Sequence, residues 1–429
     1  MESDPIGMCE LLVGLPDVNV LGVDASGARV TVVIETRGPR PACGGCGVPG
    51  RVKDRDEVTL VDLPVFGRAS RLVWRKHRWQ CVTAQCAMNT WTINVPGIAS
   101  PRLALTDRAG RWVTRQVGKH GRSVNDVAVE LGCDWHTVND AVQAYGAALL
   151  DDAARVGPVN ALGLDETLFV RRGERHHKVW ATSIVDVRRG VLLDMIEGRR
   201  AAPTIEWLKA RPVAWRDGIE WATLDLSGPY RLVFNTMLAH AGQIADPFHV
   251  VRLANDALDE CRRRVQNETL GHRGHTDDPL YRARRLLTRA DERLDEPGRE
   301  KLLGLLKAGD PRGEVQMAWH AKEVVREIYT IDDVKLAVEF VDRLGHDLQD
   351  DSCPPEIRRV GRTLLRWATH ITNWHRARVT NAPTEAANNL IKRVKRTAFG
   401  FRQFAHYRIR ALLYAGKPNW HLLATITPR

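Results

Sequence analysis

Apolar and polar residues follow two different rhythms along this chain, and the change of rhythm marks its parts. Between residues 158 and 198, the segments VNALGLDETLFV, HKVWATSIVDV and GVLLDMIEG are short and rich in β-branched residues. Turn residues separate them, near Gly173 and again at Arg188–Gly190. That pattern predicts three strands in succession. TIEWLKA follows as a short helix, and IEWATLDLSGPYRLVFNTMLAHAGQIADPFHVV then reads strand, helix, strand. Three consecutive strands followed by alternating helix and strand predict a mixed α/β sheet.

The flanking regions are built differently. Upstream, EVTLVDLPVFGRASRLVWRKHRW reads as strands around a glycine turn. An amphipathic segment, LTDRAGRWVTRQVGKHG, precedes SVNDVAVELGCDWHTVNDAVQAYG. There Ser123 caps a helix with apolar positions Val124, Val127, Ala128 and Leu131; Gly132, Cys133 and Asp134 make a turn, and a second helix runs from about Trp135 to Tyr145. The pattern fits an ordinary helical hairpin or a helix-turn-helix. As a helix-turn-helix it would present His136, Thr137, Asn139 and Gln143 to DNA. Downstream, residues 252 to about 378 keep a helical period through RRLLTRADERLDEPGREKLLGLLKAG and IDDVKLAVEFVDRLG. Asp277, Asp278, Asp291 and Asp295 fall on helix faces and turns there, and Trp319, Trp367 and Trp374 read as core residues.

One late helix is unusual. NAPTEAANNLIKRVKR, residues 381 to 396, carries a single acid ahead of a basic run. At about 100° per residue, Glu385, Asn389, Lys392 and Arg396 share one stripe, while Ala387, Ile391, Val394 and Ala398 lie opposite. A glutamate in the first turn is mildly favourable in any helix, but a helix that only bound phosphate would gain nothing from it.

Composition narrows the possibilities. At 429 residues, with 44% apolar and 27% charged, the chain has room for two to four domains with their own cores. No apolar run approaches the ~18 residues of a membrane span, and MESDPIGMCELL lacks the form of a signal peptide. The expectation is a cytoplasmic protein without a membrane partner. The 63 basic residues exceed the 52 acidic ones, giving +11, which suits a polyanionic partner. Eight cysteines with no export signal argue for a reducing compartment. Cys43 and Cys46 form a C-x2-C knuckle and Cys81 and Cys86 a C-x4-C pair, spacings that can close a tetrahedral zinc site. The strands between them would bring the pairs together; unrelated thiols are the alternative. Cys9, Cys133, Cys261 and Cys353 stand alone and read as small buried apolar residues.

The acids suggest chemistry. Asp165 lies inside the first strand of the α/β region, and Asp225 ends the fourth, just before the turn Ser227-Gly228-Pro229. Strand ends of this kind are where open α/β sheets keep their sites. Three carboxylates point to Mg²⁺ or Mn²⁺, which take hard oxygen ligands. Two such ions about 3.5–4 Å apart can activate an attacking oxygen and stabilise a leaving one in phosphodiester chemistry. Asp165 would bridge both ions, with Asp225 and Glu385 each completing one. Lys392, Arg393, Lys395 and Arg396 would then hold a DNA backbone.

GLDET, LDLSGPY, ADPFHVVRLANDALDE and NAPTEAANNLIKRVKRTAFGFRQFAHYRIR resemble the signature blocks of bacterial insertion-sequence DDE transposases of the ISL-three type. The likeness runs through nearly the whole chain, including GLPDVNVLGVDASGARVTVVIE, the cysteine pairs and AWHAKEVVREIYT. It implies a ribonuclease H-like mixed sheet interrupted by an all-helical insertion, preceded by a zinc-binding β-rich module and a helix-turn-helix. By motif, Asp165, Asp225 and Glu385 match the catalytic acids, and Asp246 and His249 match an auxiliary Asp-x-x-His element. The implied divisions are a zinc module over 1–100, a helix-turn-helix over 101–150, and a catalytic core over 155–251. A helical insertion over 252–378, the last core helices over 379–412 and a tail over 413–429 complete the chain. Such a protein would bind the terminal inverted repeats of its element in double-stranded DNA, cleave there, and join the freed 3′-hydroxyls to target DNA. It would act as a homodimer or larger assembly at the nucleoid, with two Mg²⁺ or Mn²⁺ ions and a structural Zn²⁺. A catalytically silent DNA-binding repressor on the same modules and a nuclease without strand transfer are the alternatives.

Overall fold

The structure, a computed structural model, describes residues 5–272 and 274–428. Backbone contacts divide the chain into two units. One comprises Met1–Gly157, Phe169–Arg171 and Asn389–Arg429; the other comprises Pro158–Leu168 and Arg172–Asn388.

The first unit opens with α1 (Pro5–Val13) and a mixed sheet of β1 (Val18–Asp24), β2 (Val30–Thr36), β3 (Arg51–Val65), β4 (Arg68–Gln80) and β5 (Thr90–Thr92), ordered β1-β2-β4-β3 with β5 on β4. The β3–β4 hairpin turns at Phe66 and Gly67, both at positive φ (48° and 76°). A two-residue turn of that kind matches the twist of its strands. Val18, Val20, Ile34, Leu60, Leu72 and Trp74 form the core of the sheet.

Next come α2 (Asp107–Thr114), α3 (Val124–Leu131) and α4 (Trp135–Leu150). Ser123 caps α3 by accepting from the Asp126 amide, Gly132 ends it at φ 61°, and Asp134 caps α4 by accepting from the Thr137 amide. The helix, short turn and helix expected here are present, but α4 runs past Tyr145 to Leu150. Its buried side continues through Gly146 and Leu149. Gly146 is where α4 meets Phe404–Ala415, the last helix of this unit: an added Cβ would lie 2.9 Å from the Ile409 side chain. Leu413 and Leu423 join the core of α2–α4, so these positions of the expected tail are packed. Their apolar spacing, with Trp420 and Leu422 beside the same core, makes burial more favourable than exposure.

The second unit contains β6 (Ala161–Arg172, apart from Phe169–Arg171), β7 (His177–Asp186), β8 (Val191–Glu197), α5 (Ala201–Lys209), α6 (Val213–Asp217), β9 (Trp221–Leu224), α7 (Gly228–Met237) and β10 (Gly242–Ala245). Its sheet has the order β10-β9-β6-β7-β8. β9 pairs in parallel with both β10 and β6, and β7 pairs antiparallel with β8, which gives the expected mixed sheet. The helices α8 (Pro247–Leu270), α9 (Pro279–Leu287), α10 (Glu296–Gly309), α11 (Glu314–Glu327), α12 (Val334–Asp347) and α13 (Pro355–Ala377) account for the helical stretch. It begins earlier than expected: α8 starts at Pro247 and passes unbroken through position 252. Trp319 and Trp367 are buried there, Trp374 half-buried. α14 (Ala382–Thr397) follows, and the Phe404–Ala415 helix is α15. Of the four isolated cysteines only Cys261 is buried; Cys9, Cys133 and Cys353 are half-buried. Among the described residues, no helix is long and apolar enough to cross a membrane.

Candidate active site

The β6–β9 register sets Asp165 beside Asp225. Ala161, Leu162 and Gly163 pair with Trp221, Ala222 and Thr223. Carrying that parallel register on by two residues brings the aspartates level, and the period of two points both the way Gly163 and Thr223 point. Asp225 stands just past the end of β9, where the ladder no longer claims its backbone.

The first turn of α14 closes over this edge. Asn381 Nδ2 donates to Asp225 Oδ1 at 3.2 Å, and its Oδ1 accepts from Thr223 Oγ1 at 2.9 Å. One helical stretch later, Asn388 Nδ2 donates to Asp165 Oδ2 at 2.6 Å and accepts from Ser183 Oγ at 2.9 Å. The two asparagines bracket Glu385, so the helix that carries the third acid also orients the other two. The approach is close because Gly163 has no side chain: a Cβ there would lie 2.3 Å from Thr384 Oγ1 and 3.0 Å from Asn381 Oδ1.

Asp246 caps the start of α8 but spends its side chain elsewhere. Its Oδ1 accepts from the Asn381 amide at 2.8 Å, and its Oδ2 lies 3.3 Å from His249 Nδ1. His249 Nδ1 is also 3.1 Å from Asp225 Oδ1. The imidazole therefore stands between two of the acids.

The electrostatics follow from burial and crowding. Burial raises Asp165 above the usual carboxylate range. Burial, then the charge of Asp165, pushes Asp225 up to about 7. Burial works against a charged His249, but the Asp246 hydrogen bond and the charges of Asp225, Asp246 and Glu385 outweigh it and hold the imidazole above its ordinary value. Two half-desolvated carboxylates raised in this way are what a hard divalent cation neutralises, and the all-oxygen donors of Asp165, Asp225 and Glu385 fit Mg²⁺ or Mn²⁺. Among the described residues, the ligand atoms of these three acids do not all lie within 4.8 Å of one another.

The cysteines are tighter. The sulfurs of Cys43, Cys46, Cys81 and Cys86 all lie within 4.8 Å of one another. Pairing of Arg51 with Gln80 at the open end of the hairpin explains this, since one cysteine pair precedes β3 and the other follows β4. A hydrogen bond from the Val48 amide, then the Thr83 hydroxyl, lowers Cys46 to about 6. The Met88 amide favours the Cys86 thiolate, but lost water and the neighbouring thiols outweigh it and push Cys86 up to about 12. Four thiols that resist ionising together fit a soft divalent cation, which lets all of them do so.

Residues 162–411, more than half of the chain, match the ISL3-type DDE family described as "Transposase". The chain belongs to that transposase family. It is 25% identical over 416 residues to the "Transposase for insertion sequence element IS1557" of Mycobacterium tuberculosis (strain CDC 1551 / Oshkosh), across 88% of this chain and 87% of that protein. The same figures hold for the protein of that name from strain ATCC 25618 / H37Rv.

In this transposase Asp225 and Asp246 meet at His249 with Asp165 nearby, and Glu385 stands on the helix between Asn381 and Asn388 with its charge acting on His249. Asn381, Asn388, Thr223 and Ser183, which fix the aspartates, were not foreseen. A signal existed for two: Asn381 and Asn388 sit four before and three after Glu385, the spacing of one helix flank. The residues expected at DNA scatter more. On α14, Lys392, Arg393 and Arg396 are exposed and Lys395 is half-buried, while Ala387, Ile391 and Val394 are buried. On α4, His136 is exposed and Thr137 donates its hydroxyl to Asp134 at 3.0 Å. Asn139 is buried, and both amide atoms of Gln143 are enclosed without partners. The outer face of α4 thus offers DNA fewer of these side chains than its sequence suggested.

Gly163→Ala should destabilise the transposase by about 1–3 kcal/mol, the usual cost of forcing atoms into a packed contact. Urea unfolding followed through the second unit measures it. An unchanged midpoint would mean that the first turn of α14 gives way freely.

Proposed function

We propose that this transposase moves its insertion sequence through metal-dependent DNA chemistry at the β6–β9 edge. The protein binds the terminal inverted repeats, water attacks the phosphodiester at each element end, and the freed 3′-hydroxyl attacks target DNA at the same site. Neither step needs a covalent protein–DNA intermediate. The sheet order supports a ribonuclease H-like core: numbered from β6, the strands run 3-2-1-4-5. The place of Asp165 and Asp225 two residues beyond the paired Gly163 and Thr223, each hydrogen-bonded by an asparagine beside Glu385, carries the proposal.

Asp165, Asp225 and Glu385 would hold Mg²⁺ or Mn²⁺. Such ions, when bound, supply charge that activates an attacking oxygen and stabilises the leaving one. Asn388 and Asn381 keep an oxygen of each aspartate in fixed orientation, as outer partners of ligating carboxylates do. Asp246 ties the starts of α8 and α14 together, and His249 balances the negative charge around Asp225. The four cysteines hold one structural Zn²⁺. The α3–turn–α4 segment acts as a helix-turn-helix at the repeats, and the protein works as a homodimer or larger assembly on nucleoid DNA in the cytoplasm. The divisions at 1–100, 101–150, 155–251, 252–378, 379–412 and 413–429 stand as working boundaries.

Incubating the protein and Mn²⁺ with DNA that carries the element's ends tests the proposal. Cut ends together with joined products are expected. Cut ends alone would leave a nuclease, and intact DNA in a stable complex would leave a repressor.

The exposed cations of α14 give a separate expectation. Lys392→Ala with Arg396→Ala should weaken binding on all sequences alike and lower the slope of log affinity against log salt by about two units, one per lost phosphate contact. An unchanged slope would make this stripe ordinary solvated surface.

A further inference from the structure

Arg410 does not behave like the other cations of the basic C-terminal region. It is buried to 4% exposure on α15, its Nε has no hydrogen-bond partner, and its guanidinium lies over the Phe401 ring at 5.3 Å. Among the described residues it makes no ion pair with a carboxylate. Burial alone lowers it to about 10, which leaves it charged at neutral pH. A buried, unpaired charge is costly, and where one persists it usually has a partner to meet.

The space in front of it indicates which partner. Arg410 lines a cavity of about 650 Å³ within the first unit, between the start of α4 and residues 398–410. Arg402, His136 and His406 also line it, and Asp140 is the carboxylate on its wall. Gln403 and His406, on the first turn of α15, border the same space, and Gln403 caps that helix without a side-chain hydrogen bond. The amides of that 12-residue helix start thus add their partial positive charge to the guanidinium. Trp135 and Phe401 give the cavity two aromatic walls. Bidentate donors, helix amides and aromatic faces together recognise a phosphate that carries a base.

We propose that this cavity binds one nucleotide of an unpaired DNA strand, with its phosphate on Arg410 and Arg402 and its base against Trp135 or Phe401. A duplex keeps its bases stacked inside and cannot offer one to such a pocket, so the occupant is an end or junction with free nucleotides. This rests on the proposed action on DNA. It adds a place where a strand opened at an element end is held.

The test compares wild type, Arg410→Gln and Arg402→Gln as full chains, with circular dichroism to check folding. Fluorescence anisotropy reads the affinity for a labelled oligothymidylate and for a duplex of unrelated sequence, each titrated with salt and with inorganic phosphate. Arg410→Gln should weaken oligothymidylate binding about tenfold, as loss of a charge-assisted hydrogen bond does, and lower its salt slope by about one unit. Duplex binding should change little. Arg402→Gln, on the exposed rim, should act in the same direction and decides the matter if Arg410→Gln fails to fold. Equal loss on duplex and single strand would overturn the single-strand assignment. Inorganic phosphate that competes with oligothymidylate in wild type but not in Arg410→Gln would support the site. Unchanged affinities in both variants would overturn it; if Lys392→Ala with Arg396→Ala still lost duplex binding, DNA action would stand without this site. Absence of DNA binding by wild type would instead remove the wider proposal.

Discussion

Asp165→Asn, Asp225→Asn and Glu385→Gln should each abolish cleavage of element ends while leaving binding of those ends nearly intact. Each change keeps the shape of the side chain and removes a charged oxygen that a cation needs. Asn388→Ala and Asn381→Ala should act more mildly, with about a 10- to 100-fold loss, the usual cost of removing a partner that orients a ligand. Asn388 donates to Asp165 and Asn381 to Asp225, so the aspartates would stay in place but lose their alignment. Asp246→Asn belongs in the same graded class. Its Oδ1 can still accept from the Asn381 amide, while the charge beside His249 disappears. Gel assays of strand cleavage across this series give the ranking. Substantial cleavage by any of the three acid variants would remove that residue from the site.

Cys43→Ser with Cys46→Ser should abolish selective binding to the terminal repeats and take with it one zinc per chain. The reason lies in the hairpin. Residues 54–59 of β3 are largely exposed, while Leu60, Leu72 and Trp74 nearer the turn are buried in the sheet core. That exposed stretch separates the cysteine end, where Trp79 is buried, from the sheet core, and the metal would supply most of the order of that end. Loss of the zinc should fray that end and leave the sheet core near Phe66 and Gly67, as well as residues 172–388, folded. Hydrogen exchange resolves the pattern, and metal analysis of the purified protein counts the ion. A protein without zinc that still selects its repeats would leave recognition to α3 and α4 alone.

The sequence made some of this architecture legible and hid the rest for physical reasons. The strand run from Ala161 to Glu197 could be read because β-branched stretches and glycine turns are local signals. The stripe of α14 could be read because its apolar side, at Ala387, Ile391 and Val394, is buried as the helical period required. The end of α4 could not, because Gly146 resembles a terminator until its close contact with Ile409 is known. Packing at the C-terminus was hidden as well: Leu413 and Leu423 gain their burial from helices nearly 300 residues earlier in the chain. In the site, Asp225 stood out as a charge at a strand end, Asp165 as a charge within a strand and Glu385 as the lone acid of a basic helix. Thr223, Ser183, Asn381 and Asn388 did not, because a polar residue shows its role only when its partner is in place. Asn139 misled in the opposite sense. A polar residue is expected outside, and it is buried.

Replacing one acid by a softer ligand tests most directly whether these carboxylates hold the metal of a DNA-cutting site. Asp225→Cys should show no cleavage of element ends in Mg²⁺, which binds sulfur poorly, and should regain it in Mn²⁺, which tolerates sulfur better. Wild type should cut in both. Failure of Asp225→Cys in both metals while the folded protein binds its ends normally, or cleavage in Mg²⁺ as efficient as wild type, would contradict a metal-binding role for Asp225 and with it the assignment of the site.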